Sequence, residues 1–393
     1  MILPERLHPL LQAEFPHFSK VEMLRRRAAV AALLSRAGCR HLVFCGANRF
    51  GSVVPWLTGW PVTAEAIGVL TPGEPEPDAL FVQYHNHVPL ARRMAHEAQV
   101  AWGGPSSMAC AIAELKTRGA QDGKVATIGP LSAEQHAALT AKFGKIVNLN
   151  KRYVQLRLIK STEEIDWLRV GAYFSDLGML ALRDNLCAGI TERELGDAIE
   201  RAYVPRGGAH VIHYLGITSM RDPRIAVPPQ FPSTRAVRAG DIAFAEISAA
   251  FWDYPGQVLR SFALGEPTPL YRDLHAAADA AFDAIVAVLR DGAMPSQVIE
   301  AARVIEDAGF TTIDDLLHGY GGGYLPPILG SASRPAGPIP DEPFRAGMTV
   351  VIQPNVVTPD HKAGVQTGEM VLVTPTGIER MHQVPRGFVS LSP

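Results

Sequence analysis

His318-Gly-Tyr320-Gly-Gly322-Gly-Tyr324-Leu-Pro-Pro (318–327) follows an apolar run that holds Ile313, Leu316 and Leu317. Four glycines fall within the six residues 318–323. Glycine admits positive φ and lets a backbone or a ligand approach closely. So dense a run weakens any regular element, and therefore needs a structural reason. One imidazole and two phenols are spaced through the same stretch. Small backbone with large polar rings is the composition of a tight, lined pocket. The plainer reading is a surface loop with incidental aromatics.

On either side of this run lie three apolar, strand-like segments interrupted by polar residues. Gly240-Asp-Ile-Ala-Phe-Ala-Glu246-Ile-Ser reads as a turn and a strand, with Glu246 in apolar company. It returns through Trp252-Asp-Tyr254-Pro-Gly-Gln257 into Val258-Leu-Arg260-Ser-Phe. Met348-Thr-Val-Val-Ile-Gln353-Pro-Asn355 and Gly364-Val-Gln366-Thr-Gly-Glu369-Met-Val show the same pattern. A carboxylate buried without a partner is strongly unfavourable, so Glu246 is expected to be paired, exposed or functional. The three segments together predict a polar floor on one sheet. The alternative is that each polar residue faces water by strand alternation.

Composition bounds the rest. The chain has 393 residues, 47% hydrophobic and 19% charged, which predicts two domains or one large one with a substantial core. The formal net charge of −2 gives no sign of nucleic acid or an anionic membrane as partner. Cys39, Cys45, Cys110 and Cys187 are scattered, which fits a reducing compartment and no disulfide framework. The first residues, MILPERLHPLLQAEF, lack the pattern of a signal peptide, and no apolar run reaches the ~18 residues of a membrane span. The expectation is a cytoplasmic protein.

Residues 19–38 read as a helix closed by Gly38. Short strands follow in RHLVFCG, AIGVLTPG, DALFVQY and KVATIGP. Helices are predicted in HNHVPLARRMAHEAQVAW after Pro89 and in SSMACAIAELKTRG, giving an α/β domain with a mostly parallel sheet. Residues 150–160 read as a connector. Ser161-Thr-Glu-Glu164 and Thr191-Glu-Arg-Glu194 are capping boxes, each opening a helix. Helices are also predicted at about 268–290 and 295–308, with strands in 241–264, 348–356 and 366–374. The second half therefore reads as α+β with an antiparallel sheet, and 223–232 (PRIAVPPQFP) as a constrained loop.

Four features in this order resemble the methionine aminopeptidase, prolidase, aminopeptidase P and creatinase superfamily, the pita-bread fold. They are the RLIKSTEEI connector into a capped helix, the Gly-Asp strand returning through Tyr254 to Arg260, the HGYGGG run, and MTVVIQPNVV followed by GVQTGEMVLVTPTG. The resemblance implies an α+β chain. A C-terminal pita-bread domain over 156–393 would follow a smaller α/β domain over 1–155, in which WLTGW matches a family segment. It also implies a homodimer in which the N-terminal domain lies near the partner's site. Tyr84-His85-Asn86-His87 would then contribute across the interface, or else form a solvated loop.

Metallopeptidases of this superfamily hold two metal ions with two Asp, one His and two Glu. By resemblance these positions fall on Glu246, Gln257, Gly322, Gln353 and Gly368. A further family histidine falls on Pro229, which also takes the place of the catalytic His of creatinase. Two carboxylates of creatinase fall on Leu259 and Gln353. An amide or a glycine does not replace a carboxylate or imidazole in a dinuclear site. The expectation is no metal, no cofactor and a small-molecule substrate. Glu246, as a base if partly buried, and His318 would transfer protons. His213, Tyr214, Gln257, Arg260, Tyr320, Tyr324, Gln353, Asn355, Gln366 and Glu369 would bind substrate. The reaction expected is hydrolysis of a C–N bond in a small polar amide, amidine or cyclic amide. A lyase or decarboxylase, a non-catalytic binding protein and a metallopeptidase with an unusual ligand set are the alternatives.

Overall fold

The computed structural model describes residues 1–48, 50–74 and 77–392. The chain divides into two compact units. One is Ala13–Arg157; the other joins Met1–Gln12 to everything from Leu158 onward. The division falls at Arg157, and the first twelve residues group with the larger unit. Ile2 N–H donates to Gln383 and Arg6 pairs with Asp166, which explains the assignment.

In the smaller unit, α1 (Lys20–Arg36) is capped by the Ser19 hydroxyl. A six-stranded sheet is built from β1 (His41–Ala47), β2 (Glu65–Leu70), β3 (Asp78–Val82), β4 (Ala98–Trp102), β5 (Val125–Ile128) and β6 (Val147–Asn148). The order is β4-β3-β2-β1-β5-β6. The sheet is mixed: β2 runs antiparallel to both β1 and β3, and the other pairs are parallel. The expected helix after Pro89 ends at Met94; Ala98–Trp102 instead completes a ladder with β3, tertiary pairing overriding local propensity. Helix α2 (Ser107–Thr117) covers the sheet through Met108, Ala111 and Leu115. Residues 150–158, read as a connector, are helical.

In the larger unit both predicted capping boxes form. Ser161 and Glu164 exchange hydrogen bonds at the start of α3 (Thr162–Asn185), and Thr191 and Glu194 at the start of α4 (Glu192–Tyr203). The main path of a ten-stranded sheet comprises β7 (Ala209–Ser219), β8 (Asp241–Phe251), β9 (Val258–Leu264), β10 (Leu317–Tyr320), β11 (Tyr324–Leu329), β12 (Thr349–Ile352) and β13 (Gly368–Val373). Its order is β11-β10-β12-β13-β9-β8-β7, and every neighbour on that path is antiparallel. Helix α5 (Pro269–Val288) buries Tyr271, Leu274, Ala281, Phe282 and Ile285 against Phe244, Val350, Ile352 and Val371. At roughly 2 kcal/mol per fully buried large side chain, this layer is a main source of the unit's stability. The segment predicted as one helix over 295–308 is two short ones, Pro295–Ala301 and Val304–Asp307.

The glycine run is the turn of the β10–β11 hairpin. Gly321, Gly322 and Gly323 all have positive φ, at +114°, +74° and +118°, which side-chain-bearing residues rarely adopt. The physical reason for the run is therefore a tight reversal that brings Tyr320 opposite Tyr324.

Candidate functional site

Strand register fixes which residues can meet. Gly368 of β13 pairs with Leu259 of β9, Leu259 with Glu246 of β8, and Glu246 with Tyr214 of β7. Directly paired residues of antiparallel strands project to the same face. Gly368, Leu259, Glu246 and Tyr214 therefore form one row, and Glu246 is its only carboxylate. The Glu246 side chain is buried, with 7% of the residue exposed. Burial, reinforced by the nearby charge of Asp314, pushes its pKa up to about 8.

Gln257, just before β9, donates from Nε2 to Glu246 Oε1 at 2.6 Å and to Gln353 Oε1 at 3.3 Å. The Gln353 side chain in turn contacts the imidazole of His318. These four buried side chains form a continuous polar chain, Glu246–Gln257–Gln353–His318. His318 Nδ1 faces the Gly319 carbonyl at 3.0 Å. A proton held there leaves Nε2 with a lone pair. Burial lowers the His318 pKa from its ordinary value, so the ring is neutral near pH 7.

Aromatic rings frame this chain. Tyr324 stacks on His318 with centroids 4.1 Å apart, and Tyr320 meets it edge-on at 5.5 Å. Tyr320 donates to Ser248 Oγ at 3.2 Å and is buried, whereas Tyr324 is half exposed and donates to Asp315. Burial raises both phenol pKa values. Several buried amide atoms nearby have no hydrogen-bond partner among the described residues: Gln257 Oε1, both polar atoms of the Asn355 side chain, and Gln366 Oε1. Val365 N–H donates to the Val356 carbonyl, which sets Asn355 beside Gln366 in antiparallel register. Buried polar atoms are almost always satisfied, so these mark where a polar ligand or ordered water would bind.

Three predicted substrate-binding residues are placed elsewhere. Arg260 donates to the carbonyls of Leu259, Gly368, Val384 and Pro385 and to Glu369 at 2.6 Å. Glu369 also accepts from Arg380 at 2.5 and 2.9 Å. Burial pushes the Glu369 carboxyl up, but Arg380 and Arg260 outweigh it and hold it below the usual range. Glu369 lies next to Gly368, so its side chain points to the other face. These two residues form a buried ion network and have no group left for a substrate. His213 likewise pairs with Ile247, one residue from the Glu246 row, and its ring bonds Tyr203 Oη at 2.9 Å. Burial, and then His210, lower its pKa to about 3.

Sequence reasoning missed Ser248, Asp314 and Asp315. Ser248 lies two residues from Glu246 on the same strand, so period-two alternation carried the signal. Asp314 and Asp315 precede the apolar lead-in to His318, and their charges act on His318 and Tyr324. Only the folded hairpin brings them there. Tyr84, His85 and Asn86 form an exposed turn of the smaller unit.

The five positions that the resemblance equates with metal ligands do not fit a two-metal centre. Glu246 is the one carboxylate, and one of its oxygens already accepts from Gln257. Gln257 and Gln353 are neutral amides. Gly322 has no side chain, and at Gly368 none can be added as the backbone stands. A Cβ there would lie 2.2 Å from the Ile352 carbonyl oxygen, with φ at +151°. Paired divalent ions need several anionic or imidazole donors, which this set lacks.

Residues 166–375 match the model of metallopeptidase family M24. The Xaa-Pro dipeptidase of Pyrococcus furiosus is 25% identical over 249 residues, covering 62% of this chain and 68% of that protein. Among solved structures, the X-Pro aminopeptidase of Thermotoga maritima superposes with a TM-score of 0.79 at 17% identity, covering 93% of this chain and 99% of that one. The prolidase of Thermococcus sibiricus superposes with a TM-score of 0.80 at 19% identity, covering 95% of this chain and 100% of that one. The larger unit thus has the pita-bread fold, preceded by a smaller α/β unit. With a family match spanning more than half its length, on a sheet that gathers Glu246, Gln257, Gln353 and His318, the chain belongs to metallopeptidase family M24.

Proposed function

We propose that the protein hydrolyses the C–N bond of a small peptide-like amide without a paired-metal centre, by proton transfer through His318 and Glu246. The observation that carries this reading is the buried chain from Glu246 through Gln257 and Gln353 to His318. At its two ends the protonation states are complementary near pH 7. Glu246 holds its proton up to about pH 8, and the neutral His318 ring, with Nδ1 facing the Gly319 carbonyl, has a second nitrogen that can take one.

In this scheme His318 Nε2 takes a proton from water as the water oxygen bonds to the carbonyl carbon. The Tyr214 phenol, on the same row as Glu246, donates to the developing oxyanion. Glu246 passes its proton to the leaving nitrogen as the C–N bond breaks, releasing a carboxylic acid and an amine. The proton on His318 then returns to Glu246 through solvent. The unpartnered amide atoms of Gln257, Asn355 and Gln366 orient the polar groups of the substrate. The relatives described as Xaa-Pro dipeptidases favour a peptide bond over an amidine or cyclic amide.

The test is turnover of an Xaa-Pro dipeptide panel and simple amides, with and without a strong chelator, by wild type and Glu246→Gln. Chelator-insensitive turnover is expected, reduced about 10²–10⁴-fold in the variant, whose thermal stability near neutral pH is no lower than that of the wild type. Turnover abolished by chelator and restored by metal, or full activity in Glu246→Gln, rejects the proposal.

A further inference from the structure

We propose that Glu200, His210 and His213 form a binding site for one divalent transition-metal ion, with Zn2+ the fitting case, on the sheet face opposite Glu246. Residues three apart on a regular strand point to opposite faces. Here the pairing of β7 with β8 slips between His210 and Ile212, so that His210 lies opposite Ala249 and His213 opposite Ile247. The extra residue, Val211, is a β-bulge, a device that re-aims a side chain. It brings both imidazoles to one side, with ring centroids 4.2 Å apart. Glu200, in the last turn of α4, reaches the same point.

Three ligand atoms converge. His210 Nδ1 lies 3.1 Å from His213 Nδ1 and 3.1 Å from Glu200 Oε1, and His213 Nδ1 lies 3.7 Å from Glu200 Oε1. A tetrahedron drawn with zinc bonds of about 2.0–2.1 Å has edges of about 3.3–3.4 Å. The observed triangle brackets that value, so an ion can seat on it with small side-chain adjustments. The set is two imidazoles and one carboxylate, a zinc donor set that leaves a fourth position for water. Glu200 and His210 are 48% and 41% exposed, so that position opens to solvent.

The surroundings are built for such a site. Tyr203 Oη lies 2.9 Å from Nε2 of His213. With the Nε2 proton donated to the tyrosine oxygen, Nδ1 keeps its lone pair for the metal, and the ring is held in orientation. Without an ion, two imidazole nitrogens face each other at 3.1 Å and at most one proton lies between them. A bound cation removes that conflict and joins the end of α4 to the start of β7. The expected consequence is stabilisation of this corner; the site does not share residues with the Glu246–His318 chain.

Full-length protein stripped with chelator and dialysed is titrated with Zn2+, with Co2+ and, as a control, with Mg2+. One Zn2+ per chain is expected, with a rise in Tm, the visible absorption of four-coordinate Co2+, and no binding of Mg2+. His210→Ala and Glu200→Gln, both at solvent-exposed side chains, should each weaken Zn2+ binding at least about tenfold, with unchanged circular dichroism. Tyr203→Phe should weaken it about tenfold, as loss of a partner that orients a ligand does. His136→Ala, at an exposed histidine of the other unit, should leave it unchanged. Absence of Zn2+ binding by the wild type, or equal binding by wild type and His210→Ala, overturns the proposal.

Discussion

Glu246 holds a proton that an exposed glutamate would lose. Its pKa of about 8 lies above the ordinary carboxylate range because burial and Asp314 disfavour its charge. Between roughly pH 4.5 and 8 the folded chain therefore binds one more proton than the unfolded chain at this site. Stability falls as pH rises through that window, by at most about 1.4 kcal/mol per pH unit, and the contribution levels off above it. Glu246→Gln removes the titration. Its Tm should fall less than that of the wild type between about pH 5 and 8, and parallel curves would mean that Glu246 is ionised throughout. The rate should show the matching signature. It declines on the basic side as Glu246 loses its proton, and on the acid side, below the ordinary histidine range, as His318 gains one. A pH–rate profile with no basic limb near pH 8 would count against Glu246 as the proton donor.

At the scale of elements, the seam between β9 and β13 separates chemistry from support. Gly368 lies in the Glu246 row, while its neighbour Glu369 locks the two strands from behind through Arg260 and Arg380. Removing one member of a buried ion network leaves the other charge uncompensated, at a cost of about 3–5 kcal/mol. Arg260→Met should therefore lower stability by about 3 kcal/mol, since Arg380 still pairs with Glu369. The double variant Arg260→Met/Glu369→Gln should recover part of that loss, and chemical denaturation of the four proteins gives the coupling. KM should stay within about twofold wherever the protein remains folded. A large rise in KM at unchanged stability would return Arg260 to the substrate. The hairpin β10–β11 shows the converse arrangement: its glycine turn gives up regular structure so that His318, Tyr320 and Tyr324 meet.

On the scale of the whole molecule, the unit that carries the site is assembled from both ends of its sequence. Leu3 and Leu7 are buried, and Gln383 is hydrogen-bonded to both the N–H and the carbonyl of Ile2. Deleting Met1–Gln12 should destabilise the larger unit by about 3 kcal/mol or more, on the burial of two leucines. Hydrogen exchange should quicken in α3 and around 378–391, with Ala13–Arg157 unchanged. Uniform exchange across both units, or none, would reject this assignment. Among the described residues no helix is long and apolar enough to cross a membrane.

Much of this architecture was legible in the sequence because its signals are local. Capping boxes marked α3 and α4, apolar runs marked β8, β9, β12 and β13, and glycines marked the hairpin turn. Those same strands, with Glu246, Gln257, Gln353 and His318 among apolar residues, also pointed to the polar chain. Local signals do not report register, and register sorted the remaining candidates. Side chains alternate along a strand, so an offset of one residue moves a group to the other face. Tyr214 joins the Glu246 row while His213 leaves it for Tyr203; Gly368 joins it while Glu369 goes to Arg260. The bulge at Val211 reverses the same rule to bring His210 and His213 together. Each of these outcomes depends on which strand lies alongside and in what alignment, a relation between residues distant in the chain that exists only once it is folded.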